Sequence, residues 1–147
     1  MASSNGMTRR GVVALLAAPF LVARPARAAV PEIKFRDLYI RYGTLSDQTK
    51  ALTGRTVRMR GYMAPPLKPE VDFFVLTKLP MSTCPFCETE AQWPEDIVVV
   101  YTNGPIEIVR YTDLIDVEGV LETGRHVDEE TGFLSMIRLV EAGFQTV

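Results

Sequence analysis

From Gly54 onward, apolar and polar residues alternate with a period of two, a pattern typical of strands that bury one face. Strands are predicted at residues 56–62, 71–78, 97–102, 114–122 and 133–142, with a short additional strand at 106–111. Turn residues separate these segments and no βαβ alternation occurs. Gly61 and Gly119, inside strands, fit the sharp bends of a small barrel. The pattern therefore predicts an all-β fold, a five- to six-stranded OB-like barrel over residues 54–147.

The segment before the barrel, residues 29–53, has apolar residues roughly three and four positions apart, which predicts a short helical segment. The residues with this spacing are Phe35, Leu38, Tyr39, Tyr42 and Leu45. Gly43 and Ser46 interrupt the pattern. Because serine is a favoured N-cap, Ser46 predicts a second short helix over residues 48–52 that ends before Gly54.

Residues 1–28 resemble a bacterial twin-arginine export signal. Arg9 and Arg10 precede an apolar run at 11–22, and a small-x-small cleavage site ends at Ala28. Because a bilayer core needs about twenty apolar residues, this twelve-residue run is too short to cross it. The alternatives are an ordinary secretory signal and a helical N-terminal anchor. We expect an exported protein of the periplasm.

Removal of the leader would leave 147 − 28 = 119 residues, enough for one domain with a substantial core. The leader holds four of the 16 Lys and Arg and no acidic residue, so 12 basic residues remain against 18 acidic ones, a net charge of −6. Nucleic acids and anionic membranes bind through accumulated positive charge. The composition therefore disfavours both as partners, and no later segment is long and apolar enough to span a membrane.

The two cysteines of the chain, Cys84 and Cys87, lie two residues apart on the loop predicted between strands 71–78 and 97–102. This spacing allows either one shared metal ion or one disulfide. In an exported protein disulfides persist, yet a bridge that closes so short a loop constrains the unfolded chain very little. The spacing thus favours a chemical role for the pair.

Residues 54–67 (GRTVRMRGYMAPPL), followed by FFVLT at 73–77 and a cysteine-containing loop, resemble a family of small exported bacterial proteins of unknown function. The resemblance implies an OB-like barrel and a link to metal transport, with a periplasmic or membrane transport protein as partner. In the family a histidine follows the cysteine closely. In this chain the second cysteine, Cys87, replaces that histidine. The metal binding that the resemblance implies therefore applies to Cys84 alone.

Thiolates at Cys84 and Cys87 supply two ligands of a tetrahedral zinc site, and His126, the single histidine, is the candidate third. Water or a carboxylate would complete the site. The candidate carboxylates are Glu88, Glu90 and Asp128. For Cu(I) the soft donors suffice, with Met81 as a further ligand. The alternatives are a solvated turn histidine and a methionine that only packs.

The alternative chemistry is thiol–disulfide exchange at the same pair. Pro94 would end any helix after the cysteines within about two turns, unlike the long helix of a thioredoxin-like site. Glu88 and Glu90 beside the pair would raise the thiol pKa. A disulfide that merely pins the loop of an interaction barrel is the third possibility. The sequence thus favours a non-enzymatic accessory protein that holds zinc or copper.

Overall fold

The computed structural model describes residues 29–66, 71–83 and 93–147. Two short helices and a small hairpin precede five longer strands. In chain order these are α1 (Phe35–Leu38), β1 (Tyr39–Arg41), β2 (Thr44–Leu45), α2 (Asp47–Leu52), β3 (Thr56–Met63), β4 (Phe73–Thr77), β5 (Ile97–Thr102), β6 (Leu114–Val127) and β7 (Leu134–Thr146). Among the residues so described, no helix is long and apolar enough to cross a membrane.

Strands β3 to β7 form a closed barrel in the order β3-β4-β5-β7-β6, and β6 returns to pair with β3. Of the pairings described, β5 with β7 is parallel and the others are antiparallel. The last strand therefore enters between β5 and β6 rather than at an edge. The predicted small all-β barrel is confirmed, and of the five to six strands predicted the described ring contains five.

Alternate residues of each strand point into the barrel, which accounts for the period of two in the sequence. In β3, Val57 and Met59 are fully buried, and Val117 and Leu121 of β6 are buried opposite that strand. At Gly61 the neighbouring strand approaches so closely that a Cβ atom would lie 2.6 Å from a backbone oxygen. The glycine predicted to allow a bend thus permits a close backbone approach.

The central pair β4–β5 is buried on both faces. All five residues of β4 are buried, as are the first four of β5. Phe74, Leu76, Val98 and Val100 belong to the barrel core. The alternate residues of these two strands face outward, yet they too are covered by other parts of the chain. Continuous burial on both faces explains why these strands appear as apolar runs in the sequence.

The N-terminal elements pack into the same core as the barrel. Ile33, Phe35, Leu38 and Leu52 are buried among barrel residues. Backbone hydrogen bonds also join residues 31–33 to Arg58 of β3, at 2.9 and 3.0 Å. Residues 29–53 are therefore a structural part of the barrel rather than a loose extension.

Helix α2 begins where the sequence predicts it, because Ser46 is the N-cap and its hydroxyl accepts a hydrogen bond from the Thr49 amide at 3.0 Å. The helical interpretation of residues 39–45 is wrong: Tyr39 and Leu45 pair across the hairpin β1–β2. Gly43, with φ of 73°, forms the turn of this hairpin. The three-and-four spacing of apolar residues here comes from a hairpin that packs on the core.

Two further predictions need correction. Residues 106–111 form no strand, because the barrel closes with five strands and leaves this segment no partner; Ile106 and Val109 pack on the core individually. Strand β6 extends to Val127 rather than ending at residue 122. Gly124, with φ of 105°, lies where the register of the β6–β7 pairing shifts, and the two strands remain paired beyond this shift. His126, expected in a loop, is therefore in a strand.

Candidate functional site

Cys84 and Cys87 lie outside the described residues, as do residues 1–28 with the predicted leader. The structure does describe both arms of the segment that carries the cysteines, here called the cysteine insert (residues 78–96). At its base the Lys78 amide donates a hydrogen bond to the Asp96 carbonyl at 3.0 Å, directly after the last pair of the β4–β5 ladder. The insert thus starts and ends at one fixed point of the barrel wall.

The first arm of the insert is held by Thr77, the last residue of β4. This fully buried side chain donates its hydroxyl to the Leu79 carbonyl at 2.7 Å and lies 3.2 Å from the Tyr62 carbonyl. A threonine hydroxyl that bonds a carbonyl two residues ahead fixes a local turn. The direction in which the chain leaves β4 is therefore set by a buried polar contact.

The second arm of the insert is held by contacts to the hairpin β1–β2. Trp93 donates its indole N–H to the Tyr39 hydroxyl at 3.1 Å, and Glu95 Oε1 accepts the Gly43 amide at 2.9 Å. Burial raises the pKa of Tyr39, and Glu95 nearby adds to this, while the hydrogen bond from Trp93 opposes it. A neutral Tyr39 hydroxyl is thus available as the acceptor for Trp93 at ordinary pH.

Trp93 also packs on an apolar cluster on the outer face of β4–β5. The cluster consists of Ala64, Val75 and Ile97, and Phe133 covers it together with Trp93. Phe133 lies 5.5 Å from Phe73, measured between ring centroids. The protein's own aromatic side chains therefore cover this outer face.

His126 is exposed on β6, and its ring meets Tyr101 edge-on with centroids 6.0 Å apart. Tyr101 pairs with Phe73, whereas the insert leaves the β4–β5 pair at Thr77 and Ile97. Four residues of strand, about 13 Å, separate these two ends. The structure therefore does not place His126 at the base of the insert.

Among the residues that the structure describes, no three His, Cys, Asp or Glu side chains form a group able to hold a metal ion. With both cysteines outside that set, the site formed by Cys84, Cys87 and His126 stays a prediction. So does the choice of zinc or copper as its occupant.

Around His126 the structure shows a small polar network that the sequence did not indicate. The Tyr101 hydroxyl faces Asp128 Oδ2 at 3.5 Å, and burial together with this carboxylate raises the pKa of Tyr101 to about 12. Burial opposes ionisation of Asp128, but hydrogen bonds from Thr131, the Glu130 amide and Tyr101 lower its pKa overall. This network ties the β6–β7 connection to β5.

Ser135 lies opposite His126 in the β6–β7 ladder, which brings a serine, a histidine and Asp128 into one region. The Ser135 hydroxyl is fully buried and has no hydrogen-bond partner among the described residues. A nucleophilic serine needs access to substrate and a base within hydrogen-bond reach. Ser135 therefore lacks the geometry of a catalytic nucleophile.

A groove of about 420 Å³ lies on the outer face of β3, β6 and β7. Two of its acidic residues are paired across strands, Asp116 with Arg60 at 2.7 Å and Glu118 with Arg58. Glu141, which also lines the groove, has a left-handed φ of 51°. Irregular pairing of β6 with β7 near Gly119 shapes this groove, and a sequence pattern does not reveal such pairing.

No protein-family model and no curated protein matches the chain. Among solved structures, a DUF3299 family protein from Pseudomonas aeruginosa matches with a TM-score of 0.50 and 16% identity, covering 82% of this chain and 97% of that one. A putative aspartyl-tRNA synthetase from Leishmania major matches with a TM-score of 0.43 and 16% identity, over 89% of this chain and 23% of that one. The first likeness supports the fold alone.

Proposed function

We propose that this protein is an exported, non-enzymatic accessory protein of the periplasm that holds one soft metal ion, zinc or Cu(I), between Cys84 and Cys87. The observation that supports the proposal is the fixation of both arms of the cysteine insert to the barrel, at Thr77 on one side and at Trp93 on the other. A segment held at both ends has fewer conformations to lose when two of its thiolates bind one ion than a segment with a free end has.

Two thiolates are strong ligands for zinc and for Cu(I), and they leave positions open on the ion. An open coordination position suits an ion that is passed to a periplasmic or membrane transport protein. A side chain such as His126 would have to approach the insert from the far end of β5 to complete the site. Nucleic acid is not among the proposed partners, because residues 29–147 carry a net negative charge.

The test is a titration of the reduced, purified protein with zinc and, separately, with Cu(I). We expect tight uptake of one ion per chain, lost in Cys84→Ser and in Cys87→Ser. His126→Ala, measured in the same way, shows whether the histidine is a ligand. Weak uptake that is equal in the wild type and in both serine variants would refute metal binding by the pair.

Thiol–disulfide exchange at the same pair is the second candidate. The CxxC spacing on an anchored insert favours it, because both thiols start from a segment with fixed ends. After Trp93 and Pro94 the chain enters β5 directly, which leaves no room there for a long helix. A pair that exchanges disulfides with small thiols would support this function. An unreactive bridge would leave only a structural role for the cysteines.

A further inference from the structure

We propose that Asn103 is a spontaneous modification site, at which the folded protein converts this asparagine to aspartate and isoaspartate through a cyclic succinimide. The site lies in the turn after β5 and does not depend on the two thiols of the proposed function. Asn103 is the single asparagine of residues 29–147, and Gly104 follows it. Asparagine is among the thermolabile residues, and a glycine after it leaves the backbone nitrogen open to close approach.

The turn that carries Asn103 is open to solvent. Asn103, Gly104 and Pro105 are all exposed. A Cβ atom built on Gly104 would have no neighbour within 4 Å. Among the described residues, no backbone carbonyl accepts a hydrogen bond from the Gly104 amide. The nitrogen that has to react is therefore neither covered nor held by the part of the backbone that the structure describes.

The reaction needs the chain and water. The Gly104 amide nitrogen forms a bond to Cγ of Asn103 and loses its proton, while the carboxamide nitrogen leaves as ammonia. Water then adds to one of the two carbonyls of the succinimide and breaks the bond between that carbon and the nitrogen. Addition at Cγ gives aspartate. Addition at the backbone carbonyl gives isoaspartate, in which the main chain runs through Cβ and Cγ.

A hydrogen bond from Thr102, the last residue of β5, restrains this turn. Its hydroxyl donates to the Gly104 carbonyl at 2.7 Å. Thr102 is itself fixed, because its amide donates to the Asp72 carbonyl at 3.1 Å and it pairs with Ala142 of β7. Ring closure brings the Gly104 nitrogen against Cγ of Asn103, and the Gly104 carbonyl moves with it. Loss of one net hydrogen bond, ~1 kcal/mol, corresponds to about fivefold in rate, so Thr102 slows the modification without preventing it.

The products alter the chain directly after a point at which β5 is held on both sides. Both products add one negative charge, which takes residues 29–147 from a net charge of −6 to −7. Isoaspartate also inserts one backbone atom between Thr102 and Gly104, so it lengthens the segment that their hydrogen bond spans. We expect the isoaspartate form to unfold at a lower urea concentration than Asn103→Asp, which carries the added charge alone.

The experiment incubates the purified protein at mildly alkaline pH and follows Asn103 by peptide mapping with mass spectrometry. A synthetic peptide of residues 100–107 gives the rate of the unrestrained sequence. Thr102→Val removes the hydroxyl and keeps a β-branched side chain in the strand, whereas Thr102→Ser keeps the hydroxyl and is the matched control. Gly104→Ala has room for its added methyl group, which hinders attack by the amide nitrogen.

We expect both products to accumulate at position 103 in the folded wild type, about fivefold more slowly than in the peptide. Thr102→Val should approach the rate of the peptide, and Thr102→Ser should remain near the wild-type rate. Gly104→Ala should lose most of the product. Circular dichroism shows whether each variant is folded; should Thr102→Val not fold, the wild type, Gly104→Ala and the peptide decide the proposal.

An intact Asn103 in the folded wild type, after the peptide has reacted fully, would overturn the proposal. Undiminished product in Gly104→Ala would rule out the succinimide route. Equal rates in the wild type and in folded Thr102→Val would refute the restraint by the Thr102 hydroxyl.

Discussion

Replacement of Gly61 by alanine should destabilise the protein strongly, although alanine adds only a methyl group. Gly61 lies in β3 at the point where this strand meets β4 and helix α1. An ideal Cβ atom there would lie 2.6 Å from the Thr77 carbonyl oxygen, and 3.1 Å from both Leu76 Cγ and Phe35 Cε2. Ordinary contact begins at 3.4 Å, so the Thr77 backbone would have to move by about 0.8 Å.

The magnitude follows from what would have to move. Overpacking of a core costs about 1–3 kcal/mol, and the upper part of that range applies because the nearest atom belongs to the backbone of a paired strand. For residues 29–147, an unfolding entropy of about 2.1 cal/mol/K per residue gives about 4 °C per kcal/mol. We therefore expect the melting temperature to fall by about 8–12 °C.

The assay is thermal and urea unfolding followed by circular dichroism, with Gly143→Ala as the matched control. Gly143 is also a strand glycine, but a Cβ atom there would have no neighbour within 4 Å. Alanine at that position should be neutral or stabilise by about 0.5 kcal/mol, since glycine is the poorer strand residue. Equal stability of Gly61→Ala and Gly143→Ala would refute the close-approach argument.

Three further predictions concern single side chains. Glu141→Gly should stabilise the protein by about 0.5–1 kcal/mol in urea unfolding, since a φ of 51° is costly for glutamate; a lower midpoint would contradict this. Asp128→Asn should lower the pKa of Tyr101 from about 12 toward 10.0, as measured by an ultraviolet titration. In the wild type, the raised pKa of Tyr101 contributes its full stabilisation below pH 10. This contribution is lost as the pH rises through about 12. Arg60 lowers the pKa of Asp116, so this ion pair stabilises the fold above about pH 4 and stabilises it less as the pH falls. Arg60→Gln should therefore weaken the dependence of the unfolding free energy on pH at acid pH. An unchanged pH dependence would refute a contribution of the pair to stability.

Local patterns were sufficient to predict the barrel strands. The alternation in β3 and the first half of β6 identified the buried residues, and Ser46 identified the start of helix α2. They were insufficient for β1–β2, where apolar residues contact a core supplied by distant parts of the chain. The extension of β6 through Gly124 was also not predicted, because a register shift in the pairing with β7 interrupts the period of two.

The arms of the candidate site were harder to predict than the cysteines themselves. Cys84 and Cys87 are obvious in the sequence, whereas the contact between Trp93 and Tyr39 joins residues 54 positions apart. No local pattern encodes such a pair. The same holds for Tyr101 and Asp128, which meet because the β6–β7 connection reaches β5. Local sequence patterns thus identify reactive residue types more readily than contacts between side chains that are distant in sequence.

The position of the last strand has a consequence for biosynthesis. Strand β7 separates β5 from β6, so a nascent chain that stops before residue 134 has a gap in its wall, with two strands lacking a partner along one side. Unpaired strand edges invite pairing with other chains. The barrel can therefore close only after β7 has been synthesised, and until then the exposed edges require protection from aggregation.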